Sequence, residues 1–136
     1  VKKMIRTIKQ VAKYVYETLG AGHEETIYRD AMSVELQDRG YIVKTEAPVS
    51  IHYTTKKGKK MIVGSGKIDL YVTKSNNYAV IELKTIGRML KENSEKTKED
   101  RKEYVQLQKY LAALSEKNGI LINFPFPPEK EPEVIE

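Results

Sequence analysis

The chain has no cysteine, which excludes disulfides and thiolate metal sites. Its two histidines, His23 and His52, are not spaced as a metal pair and read as surface residues. No stretch approaches the roughly 18 consecutive apolar residues that a membrane-spanning helix needs. The first residues, VKKMIRTIKQ, carry charge throughout and lack the apolar core of a signal peptide. There is no Gly-rich phosphate loop, no GxSxG elbow, no Ser-His-Asp grouping and no internal repeat. These absences point away from membranes and secretion, and towards an intracellular, cytoplasmic setting.

What is present fits one soluble domain. The 136 residues are 40% hydrophobic and 32% charged, enough for a single core. The Lys/Glu-rich, cysteine-free composition also hints at a thermophilic source. The net charge of +5 is uneven, because residues 125–136 hold Glu129, Glu131, Glu133 and Glu136 against Lys130. That end carries −3, which leaves +8 on the body. A basic body suggests an anionic partner, of which nucleic acid is the commonest.

Periodicity predicts the elements. Ile5, Ile8, Ala12, Val15 and Leu19 recur at helical spacing, so 4–19 reads as an amphipathic helix that Gly20 to Gly22 stops. A second helix is expected over 24–39, with Ile27, Ala31, Val34 and Leu36 inward and Gly40 closing it. β-type runs follow in YIVKTEAPVSIHY, KKMIVG, KIDLYVT and YAVIELKT, with TTKKGKK an exposed lysine-rich turn and SNN a tight one. GRMLKENSEKTKEDRKE reads as a charged loop. A helix to about residue 117 should bury Val105, Leu107, Leu111 and Leu114, and GILINF is a last apolar strand. The ending PFPPEKEPEVIE is too proline-rich to hold a helix or strand for long. The expected division is a domain over 1–124 and a flexible acidic tail over 125–136. The order points to one mixed α/β domain.

AVIELKT puts two opposite charges into an apolar strand, where an unpaired ion is costly. Strand alternation places Glu82 and Lys84 on one face, about 6 to 7 Å apart. Asp69 lies on the preceding strand. If Asn76-Asn77 form the turn, Asp69 faces Lys84; if Ser75-Asn76 form it, Asp69 faces Glu82. Both registers cluster the three side chains. A hard divalent cation, Mg²⁺ or Mn²⁺, would relieve the repulsion between the carboxylates, and such a cation beside a lysine suits phosphodiester hydrolysis. The alternative is a solvent-facing strand with a cross-strand salt bridge.

Asp69 followed by Glu82-Leu83-Lys84 resembles the D-(x)n-(D/E)-x-K signature of the PD-(D/E)XK nuclease superfamily. Ile68 stands where that signature usually has proline. GHEETIYRDAMSVEL, with Gly22, Glu25 and Tyr28, is similar to the motif of the GxxExxY family of RecB-like nucleases. DRGYIVKTEAPVSIHY, VIELKT, QLQKYL and GILINF follow in that family's order, so the resemblance covers about 8–124.

The resemblance implies a restriction-endonuclease-like α-β-β-β-α-β core, a mixed central sheet flanked by helices. It also implies metal ligation by Glu25, Asp69, Glu82 and the Leu83 carbonyl. Lys84 would be the catalytic lysine, and Gln106 and Tyr110 would match a supporting Q-x-x-x-Y motif. Helical spacing independently puts Gln106 and Tyr110 on one face. On the residues alone, Glu25 reads better as a first-turn carboxylate favoured by the helix dipole, Gln106 and Tyr110 as a boundary residue and a half-buried tyrosine, and Tyr28 packs rather than reacts. Glu35 and Glu46 read as structural. Lys91, Lys96, Lys98, Arg101 and Lys102, like Lys56, Lys57, Lys59 and Lys60, could follow a phosphate backbone or be a solvated face. The expectation is a Mg²⁺- or Mn²⁺-dependent nuclease acting on DNA rather than RNA, with a second copy as a partner for spanning a duplex. The competing expectations are a non-catalytic nucleic-acid-binding protein on the same fold and a small structural protein.

Overall fold

The computed structural model describes residues 2–87, 89 and 102–136. Helix α1 (Lys2–Leu19) buries Met4, Ile8, Val11, Ala12, Val15 and Tyr16, one continuous apolar stripe. Helix α2 (Glu25–Asp38) turns a different face inward from the expected one. Tyr28, Met32 and Leu36 are fully buried, whereas Ile27 is 42% and Val34 60% exposed. The buried apolar residues repeat every four, with Ser33 also buried beside Met32, and the tyrosine rather than the isoleucine enters the core.

Five strands follow: β1 (Ile42–Thr54), β2 (Lys60–Lys74), β3 (Asn77–Lys84), β4 (Gly119–Asn123) and β5 (Glu133–Ile135), with α3 (Lys102–Leu114) between β3 and β4. The sheet order is β1-β2-β3-β4-β5, antiparallel except for the parallel β3–β4 pair. This is the mixed, helix-flanked sheet of the restriction-endonuclease-like fold, as expected. KKMIVG and KIDLYVT are one strand, β2, because the glycines between them stay extended and remain paired with β1. The β2–β3 turn is Ser75-Asn76, with the positive φ of 55° on Ser75.

The sheet separates two apolar layers. On one side Leu70, Val72, Ile81 and Leu83 pack with α1, α2 and Phe124. On the other, Ile68, Val80 and Leu121 pack with Leu107, Tyr110 and Leu111 of α3. Val105 is 39% exposed and Leu114 half-buried, so α3 presents a narrower stripe than expected. The proline-rich end differs from the sequence reading: it supplies β5, which covers the edge of β4 and buries Ile135. The Tyr16 hydroxyl donates to the Pro125 and Glu129 carbonyls. Of the charged loop, Lys91, Lys96, Lys98 and Arg101 lie outside the described residues. Among the described residues no helix is long and apolar enough to cross a membrane.

Candidate active site

The paired backbone of β2 and β3 ends at Leu70↔Ile81. Beyond that point the face alternation of β2 breaks, since Leu70 packs on the α1–α2 side and Ile68 on the α3 side. Opposite this break on β1, Glu46 has a φ of 50°. Two carboxylates take over where the ladder stops. Asp69 Oδ2 accepts a 2.7 Å hydrogen bond from the Leu83 amide, and Glu82 Oε1 accepts one of 3.3 Å from the Asp69 amide. The register is therefore the one in which Asp69 faces Glu82. Each acid is held by the partner strand's backbone.

Burial dominates the electrostatics. Glu82 is only 5% exposed, and burial, reinforced by the charge of Asp69, pushes its carboxyl up to about 8. Burial also raises Asp69, against the Leu83 amide and the Lys84 ammonium, which favour its charged form. Glu25, in the first turn of α2, is raised by burial and then by Asp69, with which it shares a hydrogen bond. Lys84 opposes the upward shift of all three acids, so Glu25, Asp69, Glu82 and Lys84 form one electrostatic group.

The glycine-tyrosine frame around Glu25 has a mechanical reading. Gly22 takes a φ of 95°, which an L side chain resists. Tyr28 stacks on Phe124 with centroids 4.3 Å apart, and its hydroxyl donates to the Gly20 carbonyl at 2.6 Å. It also accepts from the His23 amide at 3.3 Å. The loop that delivers Glu25 is thus tied to the core by Tyr28.

Gln106 and Tyr110 are brought to each other, with Nε2 donating to the hydroxyl at 2.9 Å. Tyr110 lies against the backbone of Gly66, where a Cβ would come within 2.5 Å of its hydroxyl oxygen. That close approach requires glycine and sets the pair three residues along β2 from Asp69.

Two residues at the site went unread in the sequence. Arg29, one helical turn after Glu25, bonds Glu46 at 2.8 Å and Asp30 at 3.0 Å, and its charge lowers both Glu25 and Asp69. Its signal was the i, i+4 spacing from Glu25. Asn123 is fully buried beside Lys84 in the β3–β4 register. Its Oδ1 accepts from the Ile86 amide, while Nδ2 donates to Gly87 O and Glu133 Oε1 at 2.8 Å each. Asn123 thereby pins the chain just after Lys84. Nothing in GILINF marked its asparagine as different from a turn residue.

Among the described residues no three His, Asp or Glu side chains are grouped so that they could hold a metal as they stand. The donor chemistry still fits a hard divalent cation. Asp69 and Glu82 are neighbouring oxygen donors, and burial, reinforced by the charge of Asp69, favours the protonated form of Glu82; a cation would take that proton's place.

The family model of the PD-(D/E)XK nuclease superfamily matches residues 2–135. The chain belongs to this superfamily. Its Asp69 and Glu82-Leu83-Lys84 stand where β2 and β3 part, so the superfamily's namesake pattern coincides with the electrostatic group. No curated protein matches the chain. A solved structure described as "Crystal structure of SSO0001" is similar at 19% identity and a TM-score of 0.48, covering 95% of this chain and 64% of that one. The chain thus spans less than two thirds of the length of that protein.

Proposed function

We propose that this member of the PD-(D/E)XK superfamily is a metal-dependent nuclease of the GxxExxY type that hydrolyses phosphodiester bonds in DNA. The observation that carries this reading is the convergence of Asp69, Glu82 and Lys84 where two strands separate. Glu25, Asp69, Glu82 and the Leu83 carbonyl would hold Mg²⁺ or Mn²⁺. When bound, that cation supplies an activated water and neutralises charge on the phosphate.

The chain's own groups do the rest. Lys84 orients the attacking water and adds positive charge where the pentavalent phosphate builds negative charge. Arg29 supplies a second cation on the Glu25 side. Asn123 keeps the backbone after Lys84 fixed, so the ammonium is presented from a rigid strand end. By analogy with the superfamily, the 3′ oxygen leaves and the product carries a 5′ phosphate.

The test is cleavage of labelled duplex, single-stranded and branched DNA with Mg²⁺, Mn²⁺ or EDTA. Cleavage should need the metal and fall about 100-fold or more in Glu82→Ala and in Lys84→Ala. A second reading, a DNA-binding protein without catalysis, is supported by the five lysines of residues 47–68, which no acidic residue in that stretch offsets. That reading gains if no metal supports cleavage while DNA binding is the same in Glu82→Ala.

A further inference from the structure

Beyond Ala47↔Ile68, β1 and β2 continue as a two-stranded ribbon, with no third strand beside β2 among the described residues. From Asp69 to Lys60 this arm extends about 30 Å. Residues 47–68 contain Lys56, Lys57, Lys59, Lys60 and Lys67 and no acidic residue. That is +5, equal to the net charge of the whole chain, so the other residues sum to zero. The arm is the longest stretch without a compensating acid, although α1 also carries a net +4 from Lys2, Lys3, Arg6, Lys9 and Lys13 against Glu17.

The arm is also built unlike a solvated edge. Tyr53, Met61, Ile62 and Val63 are 48% to 64% exposed, and a register shift at Ile51/His52 bends the ribbon. Against α3 the arm forms an open pocket of about 440 Å³ whose lining, which includes Ile51, His52, Lys60, Lys109, Ala112 and Ser115, has no carboxylate. Glu82 and Lys84 share the sheet face of Val80, which packs towards α3. The pocket, the Gln106–Tyr110 pair over Gly66, and the acidic site therefore lie along one side of the sheet.

We propose that the β1–β2 arm docks in the major groove of a B-form DNA duplex flanking the cut site, with phosphates of one strand seated in the Lys60–Lys109 pocket. A two-stranded ribbon matches the width of that groove, and the major groove of A-form RNA is too deep and narrow for it. The lysines of the turn supply phosphate contacts, and the exposed apolar side chains meet base edges and thymine methyls. The inference rests on the nuclease reading for the position of the cut. Docking itself is measurable without cleavage.

The experiment uses the full chain in EDTA, with a labelled linear duplex titrated across a salt series. The comparison proteins are Lys56→Gln/Lys57→Gln/Lys59→Gln/Lys60→Gln, Lys109→Gln, and a control with Lys2, Lys3, Arg6 and Lys9 changed to Gln. In the arm variant the affinity should drop about ten-fold or more, and the salt slope should shrink by about 3 to 4. Lys109→Gln should lose about one unit of slope, while the control, with the same net charge as the arm variant, should keep the parental slope. All changed positions are exposed, so melting temperatures should match the parent's.

Parental affinity and slope in the arm variant would overturn the proposal. So would an equal loss in the control, which would mean bulk charge, or equally tight arm-dependent binding of duplex RNA. A parent that dimerises through the arm and binds no duplex would overturn it in favour of a second copy as occupant. A protein that docks through the arm but never cleaves would overturn only the nuclease reading.

Discussion

At the residue scale the central fact is that Glu82 is buried and held near Asp69, with its carboxyl at about 8 against an ordinary 4.5. The folded state therefore prefers Glu82 protonated. Its contribution is fully favourable below the unfolded value and is lost as pH rises through the folded one. In EDTA the melting temperature should fall between about pH 5 and pH 8, and Glu82→Gln should flatten that fall and be the more stable protein at pH 8. An identical slope in parent and variant would remove Glu82 as the source. Over that range added Mn²⁺ should raise the parent's melting temperature most at pH 8, where the cation competes least with a proton.

At the element scale, close contacts decide where the site residues stand. Gly66 leaves room for Tyr110, and a Cβ there would meet its Oη and Cζ at 2.5 and 2.7 Å. Gly66→Ala should cost about 1 to 3 kcal/mol in urea unfolding, a penalty that Tyr110→Ala in the same chain should largely cancel. The fully buried Tyr28 ties the 20–23 loop to the core through its hydroxyl. Tyr28→Phe should cost about 1 to 2 kcal/mol and lower cleavage through Glu25, while leaving the stack on Phe124 in place. Unchanged urea midpoints in Tyr28→Phe would show that the hydroxyl anchors nothing. The face of α2 was misread because Ile27 and Val34 are as apolar as Met32. Periodicity alone does not say which of two overlapping stripes meets a neighbour.

At the scale of the whole molecule, the last residues complete the sheet. Ile135 is buried in β5, and Glu133 Oε1 accepts from both Asn123 Nδ2 and the Met89 amide at 2.7 to 2.8 Å. Lys9 and Lys13 of α1 pair with Glu136 and Glu131 at 3.4 and 3.9 Å, exposed contacts of little weight. Shortening the chain to residue 131 would uncover the β4 edge and release the segment after Lys84. The shortened protein should melt several degrees lower and cleave more slowly, whereas parental melting and cleavage would show β5 to be dispensable.

The sequence by itself determined the helices α1 and α3, the strands β1, β3 and β4 and the Asp69, Glu82 and Lys84 grouping. All of these rest on local periodicity and on charges too costly to bury without purpose. The α3 stripe was narrower than its apolar spacing implied, since an amphipathic pattern gives a direction but not a width. Only the tertiary structure decided what depends on contacts between distant residues. It chose the Ser75-Asn76 register, fused two runs into β2, brought Arg29 to Glu25 and Asp69, set Asn123 behind Lys84 and gave the proline-rich end a strand. Sequence spacing encodes which face a residue takes on its own element; which partners meet across the core is settled by packing.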